Sequence, residues 1–139
     1  MKTPCLALFL STLLLGLPAA AEPVLQPQTQ GEVRFVTGGV GAEENEALKA
    51  VSADYNLHLQ FSAKDSGEFL SDVELRITDA NGRVVLQTVS DGPKLFAKLQ
   101  PGRYTIEAVY GGKTLRNAVT IAGQRGASLS LVWPESPEN

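Results

Sequence analysis

Few residues in this chain are of the types that do chemistry, and their spacing decides how far each can be taken. Glu43, Glu44 and Glu46 stand close together, and such a group can hold a cation or supply paired carboxylates for acid/base work. A catalytic pair needs a pocket that drives the two pKa values apart. Near neighbours on a short exposed helix give no sign of one, so the group reads as a solvated helix start, with Glu43 and Glu44 as candidate contact residues. Asp79-Ala80-Asn81-Gly82 opens as a calcium loop does, with alternating oxygen side chains before a glycine. The bidentate Glu that such a loop requires at its twelfth position is Ser90 here, so the segment reads as a turn.

The single His, His58, alternates with apolar residues and falls on the wet side of a strand pattern. A catalytic zinc takes about three protein ligands, and a hydrolytic triad needs a His oriented by a third group. Cys5 is the one cysteine, there is no Gly-x-Ser-x-Gly elbow, and no nucleophile can be nominated. The expectation is a protein without catalytic residues, metal or cofactor. Among aromatic residues, Tyr55, Phe61, Tyr104, Tyr110 and Trp133 share the phase of apolar neighbours and are assigned to the core. Phe69 stands apart in the loop from Lys64 to Ser71, as a lid over the core or as a contact residue, and the lid is preferred.

Something must position these residues, and the leader comes first. Lys2, the apolar run from Leu6 to Leu17 and the small residues Ala19, Ala20 and Ala21 have the three parts of a secretory signal. The run is shorter than the roughly 20 residues of a membrane-spanning helix. Cleavage after Ala21 is expected, giving a periplasmic or secreted protein with no membrane span. Cys5 leaves with the leader, so no disulfide can form and the core must hold the fold. Residues 22–31, with Pro23 and Pro27, read as an extended spacer, residues 32–133 as the folded body, and 134–139 as a tail.

In the body the dominant period is two. Tyr55, Leu57, Leu59, Phe61 and Ala63 alternate with Asn56, His58, Gln60 and Ser62, and Val73, Leu75 and Ile77 alternate with Glu74 and Arg76. Further runs at Glu32–Thr37, Val84–Val89, Lys94–Leu99, Arg103–Tyr110, Thr114–Ile121 and Ser128–Trp133 bring the series to about seven to eight strands. Asn81-Gly82, Pro101-Gly102 and Gly111-Gly112 supply the turns between them. Only Ala42–Ser52 departs, as a short helix with Leu48 and Val51 on one face. Closely spaced turns with no second helical pattern between strands predict an all-β fold, an antiparallel β-sandwich with one short N-terminal helix.

The stretch from Ser90 to Tyr104, with its Asp turn, aromatic strand and Leu99-Gln100-Pro101-Gly102-Arg103-Tyr104, resembles the carboxypeptidase regulatory-like domain. In pattern the resemblance runs from about Leu57 to Trp133. It implies a transthyretin-like or prealbumin-like sandwich that accompanies enzymes or surface proteins without catalysing a reaction. Asn81, Gly82, Pro101 and Gly102 would then be turn residues, and Tyr104 a core or corner residue. The N-terminal strand and the helix are additions to the minimal domain. A transthyretin-like hydroxyisourate hydrolase is not implied, because that relative depends on several His and a C-terminal Tyr-Arg-Gly-Ser.

The chain has 139 residues, 43% hydrophobic and 19% charged, with 12 basic and 15 acidic side chains for a net charge of −3. That suits one domain and offers no basic footprint for nucleic acid. The expected role is a non-enzymatic periplasmic module that binds another protein or an envelope component, an envelope protein or a polysaccharide, in an oligomeric state the residues leave open. A carbohydrate or small-ligand module is the alternative, with a hydrolase behind both. Lys94 and Lys98 are expected to discourage pairing of strand edges.

Overall fold

Strands that are apolar at every second position need a second layer to cover them, and this chain supplies two sheets. The computed structural model describes residues 24–123 and 125–134. The strands are β1 (Gln28–Gln30), β2 (Val33–Gly38), β3 (Leu57–Ala63), β4 (Glu74–Asp79), β5 (Val84–Val89), β6 (Lys94–Lys98), β7 (Gly102–Tyr110), β8 (Lys113–Ile121) and β9 (Ala127–Trp133). Helix α1 (Gly41–Val51) and a 3-10 turn (Ser52–Asp54) lie between β2 and β3. One sheet has the order β1-β2-β6-β3-β9 and the other β5-β4-β7-β8. The expected all-β sandwich with a short helix is what forms. Its pairings are antiparallel except one, for β9 lies parallel to β3.

The main core fills the space between the sheets. Leu57, Leu59 and Phe61 of β3 meet Leu75 and Ile77 of β4 and Ile106 and Ala108 of β7, all fully buried or nearly so. Each large apolar side chain taken from water contributes about 1.5–3 kcal/mol, which explains how the domain holds without a disulfide. Turn chemistry follows the sequence. Gly111 and Gly112, at φ of +57° and +77°, join β7 to β8 through the mirror-image turn whose twist matches the strands. Asp79 Oδ1 accepts hydrogen bonds from the backbone N–H groups of Asn81 and Arg83, both at 2.9 Å, and so closes the Asn81-Gly82 turn between β4 and β5.

Several expectations need correction. The spacer assigned to residues 22–31 contains β1, which pairs with β2, and Leu25 packs against a second apolar cluster. That cluster, Val36, Leu48, Tyr55 and Phe96, sits on the outer face of the five-stranded sheet, where α1 covers it. Tyr55 therefore belongs beneath the helix and not to the main core, because the chain enters β3 only at Leu57. Tyr110 ends β7 and is 37% exposed, edge-on to Trp133 with ring centroids 6.1 Å apart. Lys94 and Lys98 lie on β6, an inner strand flanked by β2 and β3, so they guard no edge. The leader falls outside the described residues, as does the tail beyond Pro134.

Candidate functional site

The outer face of the five-stranded sheet is built by alternation. Burying Leu57, Leu59 and Phe61 turns His58, Gln60 and Ser62 outward. Register then lines up three rows across neighbouring strands. His58 pairs with Phe96 on one side and Ser128 on the other, Gln60 with Lys94 and Ser130, and Ser62 with Val132. The loop after β3 returns to place Phe69 opposite Ser62 in an isolated bridge. Helix α1 occupies the Val36 and Phe96 end of the face through Leu48. What remains is a shallow depression of about 280 Å³ over His58, Gln60, Lys94, Ser128 and Ser130, with Phe69 and Val132 in the row beyond it.

Phe69 is 59% exposed and Val132 42%. The preferred reading of Phe69 as a lid is thus overturned. Its neighbour Leu70 is the buried residue, 6% exposed in the main core, and one position along an extended segment reverses the direction of a side chain. The two outward apolar residues flank Ser62 and share its face.

His58 does not simply point to water. Its Nε2 lies 2.9 Å from the Ser52 carbonyl oxygen, and since a carbonyl only accepts, Nε2 carries the proton and donates. The ring sits edge-on to Phe96 at a centroid distance of 4.3 Å. The imidazole is engaged in seating the 3-10 turn on the sheet. Among the described residues no three His, Cys, Asp or Glu side chains are grouped to hold a metal ion, and no buried side-chain polar atom lacks a hydrogen-bond partner.

The acidic residues divide by role. Glu43 is exposed in the first turn of α1, where negative charge suits the helix dipole. Glu44 turns back instead, and its Oε1 accepts from the N–H groups of Gly39 and Val40, both at 3.0 Å. It satisfies backbone donors ahead of the helix that lack partners within it. Asn45 Nδ2 donates to the Gly39 and Gly41 carbonyls from the same side. Glu44 is therefore a structural residue of the β2–α1 connection, which adjacency with Glu43 alone could not reveal.

The turn residues group at the far end of the sandwich. Gln100-Pro101 leads into Gly102, the first residue of β7, and Tyr104 is buried with its hydroxyl donating to the Gln100 carbonyl at 2.7 Å. It is a core and a corner residue together. Burial first, and the charge of Asp79 second, push its phenol above the usual tyrosine value.

The opposite face, on the four-stranded sheet, holds a depression of about 360 Å³ floored by Arg76, Glu107 and Val109. Its charges answer one another. Arg116 donates to Glu107 Oε2 at 2.7 Å, and Arg76 lies 3.7 Å from Oε1. The hydrogen bond from Arg116 holds the Glu107 carboxyl below its ordinary range. Two arginines thus share the one Glu107 carboxylate, and Glu74 in the lining supplies the second negative charge of the depression.

No family model matches the chain, and no curated protein matches it. A solved structure titled "Crystal Structure of S.CueP" is similar at a TM-score of 0.40 and 18% identity. The likeness covers 58% of this chain and 61% of that one, so the chain spans less than two thirds of that structure's length. Among the described residues no helix is long and apolar enough to cross a membrane.

Proposed function

We propose that this chain is a non-catalytic, exported binding module, and that it docks on another protein of the cell envelope through the outer face of its five-stranded sheet. The observation that supports the reading is the row of Phe69, Ser62 and Val132, two exposed apolar residues held in register beside a polar depression. An aromatic side chain fixed on a sheet face is a low-entropy anchor of the kind that dominates binding energy at interfaces. The leader-like N-terminus and the resemblance of Ser90–Tyr104 to carboxypeptidase regulatory-like domains support export and the absence of catalysis. The experiment is capture from envelope extract on immobilised protein, comparing the natural chain with Phe69→Ser and Glu43→Gln. The expected result is a reproducible partner lost with Phe69→Ser and kept with Glu43→Gln. Capture indifferent to Phe69, or none, rejects the proposal.

One observation favours a second reading, a carbohydrate module. The depression is lined by hydroxyl and amide groups, Gln60, Ser128 and Ser130 among them, and an exposed ring stands at its end. Retardation on polysaccharide gels that disappears with Phe69→Ser and Gln60→Ala would favour the sugar over the protein partner.

A further inference from the structure

Outer strands carry unpaired backbone groups, and proteins blunt them by shortness, charge or cover. Here the outer strands are β1 and β9 in one sheet and β5 and β8 in the other. β1 has 3 residues. β5 is met by Gln30, whose side chain donates to the Gln87 carbonyl at 3.0 Å and accepts from the Gln87 N–H at 2.8 Å. β8 carries Lys113 and Arg116. β9 touches β8 of the other sheet, where Trp133 Nε1 donates to the Lys113 carbonyl at 3.0 Å. Its 7 residues of sequence ASLSLVW nonetheless carry no charge or proline, and no side chain seals its free backbone groups among the described residues.

The ladder fixes which of its backbone groups are free. Ala127 N–H donates to the Asn56 carbonyl, and the Trp133 carbonyl accepts from Lys64 N–H, both at 2.8 Å. Successive residues of a strand turn their backbone groups to opposite sides, so Ala127, Leu129, Leu131 and Trp133 bond toward β3. Ser128, Ser130 and Val132 turn theirs away, where β9 has no strand partner among the described residues. The side chains of these three are also exposed.

We propose that the β9 edge is a homodimer interface, in which two copies pair β9 with β9 antiparallel about a two-fold axis at Ser130. The free residues are symmetric about that axis. Ser130 meets its own copy and Ser128 meets Val132 of the partner subunit, so all the free N–H and C=O groups of the three residues are used. No charge faces a like charge, which a two-fold pairing would otherwise force at its axis. On the inner side Leu129, only half-buried here, comes opposite Leu131 of the partner subunit and extends the core across the junction. The five-stranded sheet then continues from one copy into the next, and because both β9 edges are consumed, assembly stops at two. The interface uses the backbone edge of Ser128, Ser130 and Val132, whose outward side chains border the docking face. It leaves Phe69 open, so the loss of capture with Phe69→Ser and the loss of dimer with Ser130→Lys are read separately.

Sedimentation equilibrium of the full chain tests this. The natural protein should be a dimer, Ser130→Lys a monomer with unchanged circular dichroism, and Thr114→Lys on β8 still a dimer. A natural chain that stays monomeric throughout, one that forms larger open-ended assemblies, or a Ser130→Lys protein that still dimerises overturns the proposal. A second readout stands even if Ser130→Lys fails to fold. On a Cys5→Ser background, Ser130→Cys brings two sulfurs together at the axis, where facing Cα atoms of a hydrogen-bonded pair lie about 5.5 Å apart, within disulfide reach. Ser130→Cys should oxidise to a cross-linked dimer and Ser128→Cys should not. Equal cross-linking at both positions, or none at Ser130→Cys, overturns the register.

Discussion

The side chain of Asn56 acts as a strand partner for Leu99. Its Oδ1 accepts from the Leu99 N–H at 2.8 Å and its Nδ2 donates to the Leu99 carbonyl at 2.7 Å. The backbone of the same residue donates to the Ala97 carbonyl and accepts from Ala127 N–H. One residue therefore ties the end of β6 to the starts of β3 and β9. Asn56→Asp keeps the size but removes the donor and sets a carboxylate against the Leu99 carbonyl. Leaving buried polar groups unpaired costs about 1–3 kcal/mol, and a fall of that order in urea unfolding free energy is expected, with Asn56→Ala close behind.

Gly92 faces the backbone of β2 so closely that an added Cβ would overlap the Gly38 carbonyl. Backbone cannot yield as a flexible side chain does. Gly92→Ala should cost about 1–3 kcal/mol, as overpacking does, whereas Gly31→Ala, which meets nothing within 4 Å, should cost only the strain of its positive φ. Thermal melts of the two variants compare them directly.

Leu48 is the residue of α1 buried against Val36, Tyr55 and Phe96. Leu48→Ala should destabilise by about 2–5 kcal/mol, the range for large-to-small changes in a packed site. Because this cluster lies outside the sandwich core, hydrogen exchange should show α1 opening before β3 or β7 loses protection. Protection lost uniformly in all three elements would contradict a separate cluster.

Phe69 and Leu70 are neighbours with opposite fates. Phe69→Ser should leave stability within about 0.5 kcal/mol, as surface changes do, while Leu70→Ser should lower it by several times that through a buried polar group. Chemical denaturation of both variants distinguishes an exposed ring from a lid.

Tyr104 gives a pH dependence whose sign can be worked out. Its folded pKa lies above the unfolded one, so its contribution is complete below the unfolded value and is lost as pH rises through the folded value. The neutral phenol is also the form that donates to the Gln100 carbonyl. Tyr104→Phe should therefore lose about 1 kcal/mol at neutral pH, and its deficit against the natural chain should shrink as pH rises through the folded phenol's titration, because the variant has no phenol to ionise. Phenolate absorbance should show a late-titrating tyrosine in the natural chain that is missing from the variant.

The sandwich was legible from local features because alternation, turn glycines and Asx turns act over a few residues. Leu57–Ala63, Gly111-Gly112 and Asp79–Gly82 each carry their conformation in their own residue types. The bend at Pro101 carries its conformation locally too, whereas Gly102, expected in the turn, opens β7. What only the tertiary structure decided depends on partners distant in sequence. Gln30 became an edge seal and Gln28–Gln30 a strand because β2 and β5 were there to receive them. Tyr55 went under the helix because α1 covers the outer face, and Lys94 lies inside a sheet because β2 and β3 close on β6. Which strand is left bare, and which face keeps Phe69 and Val132, follows from strand order. No local periodicity encodes strand order, since the same alternating pattern serves an inner strand and an edge equally well.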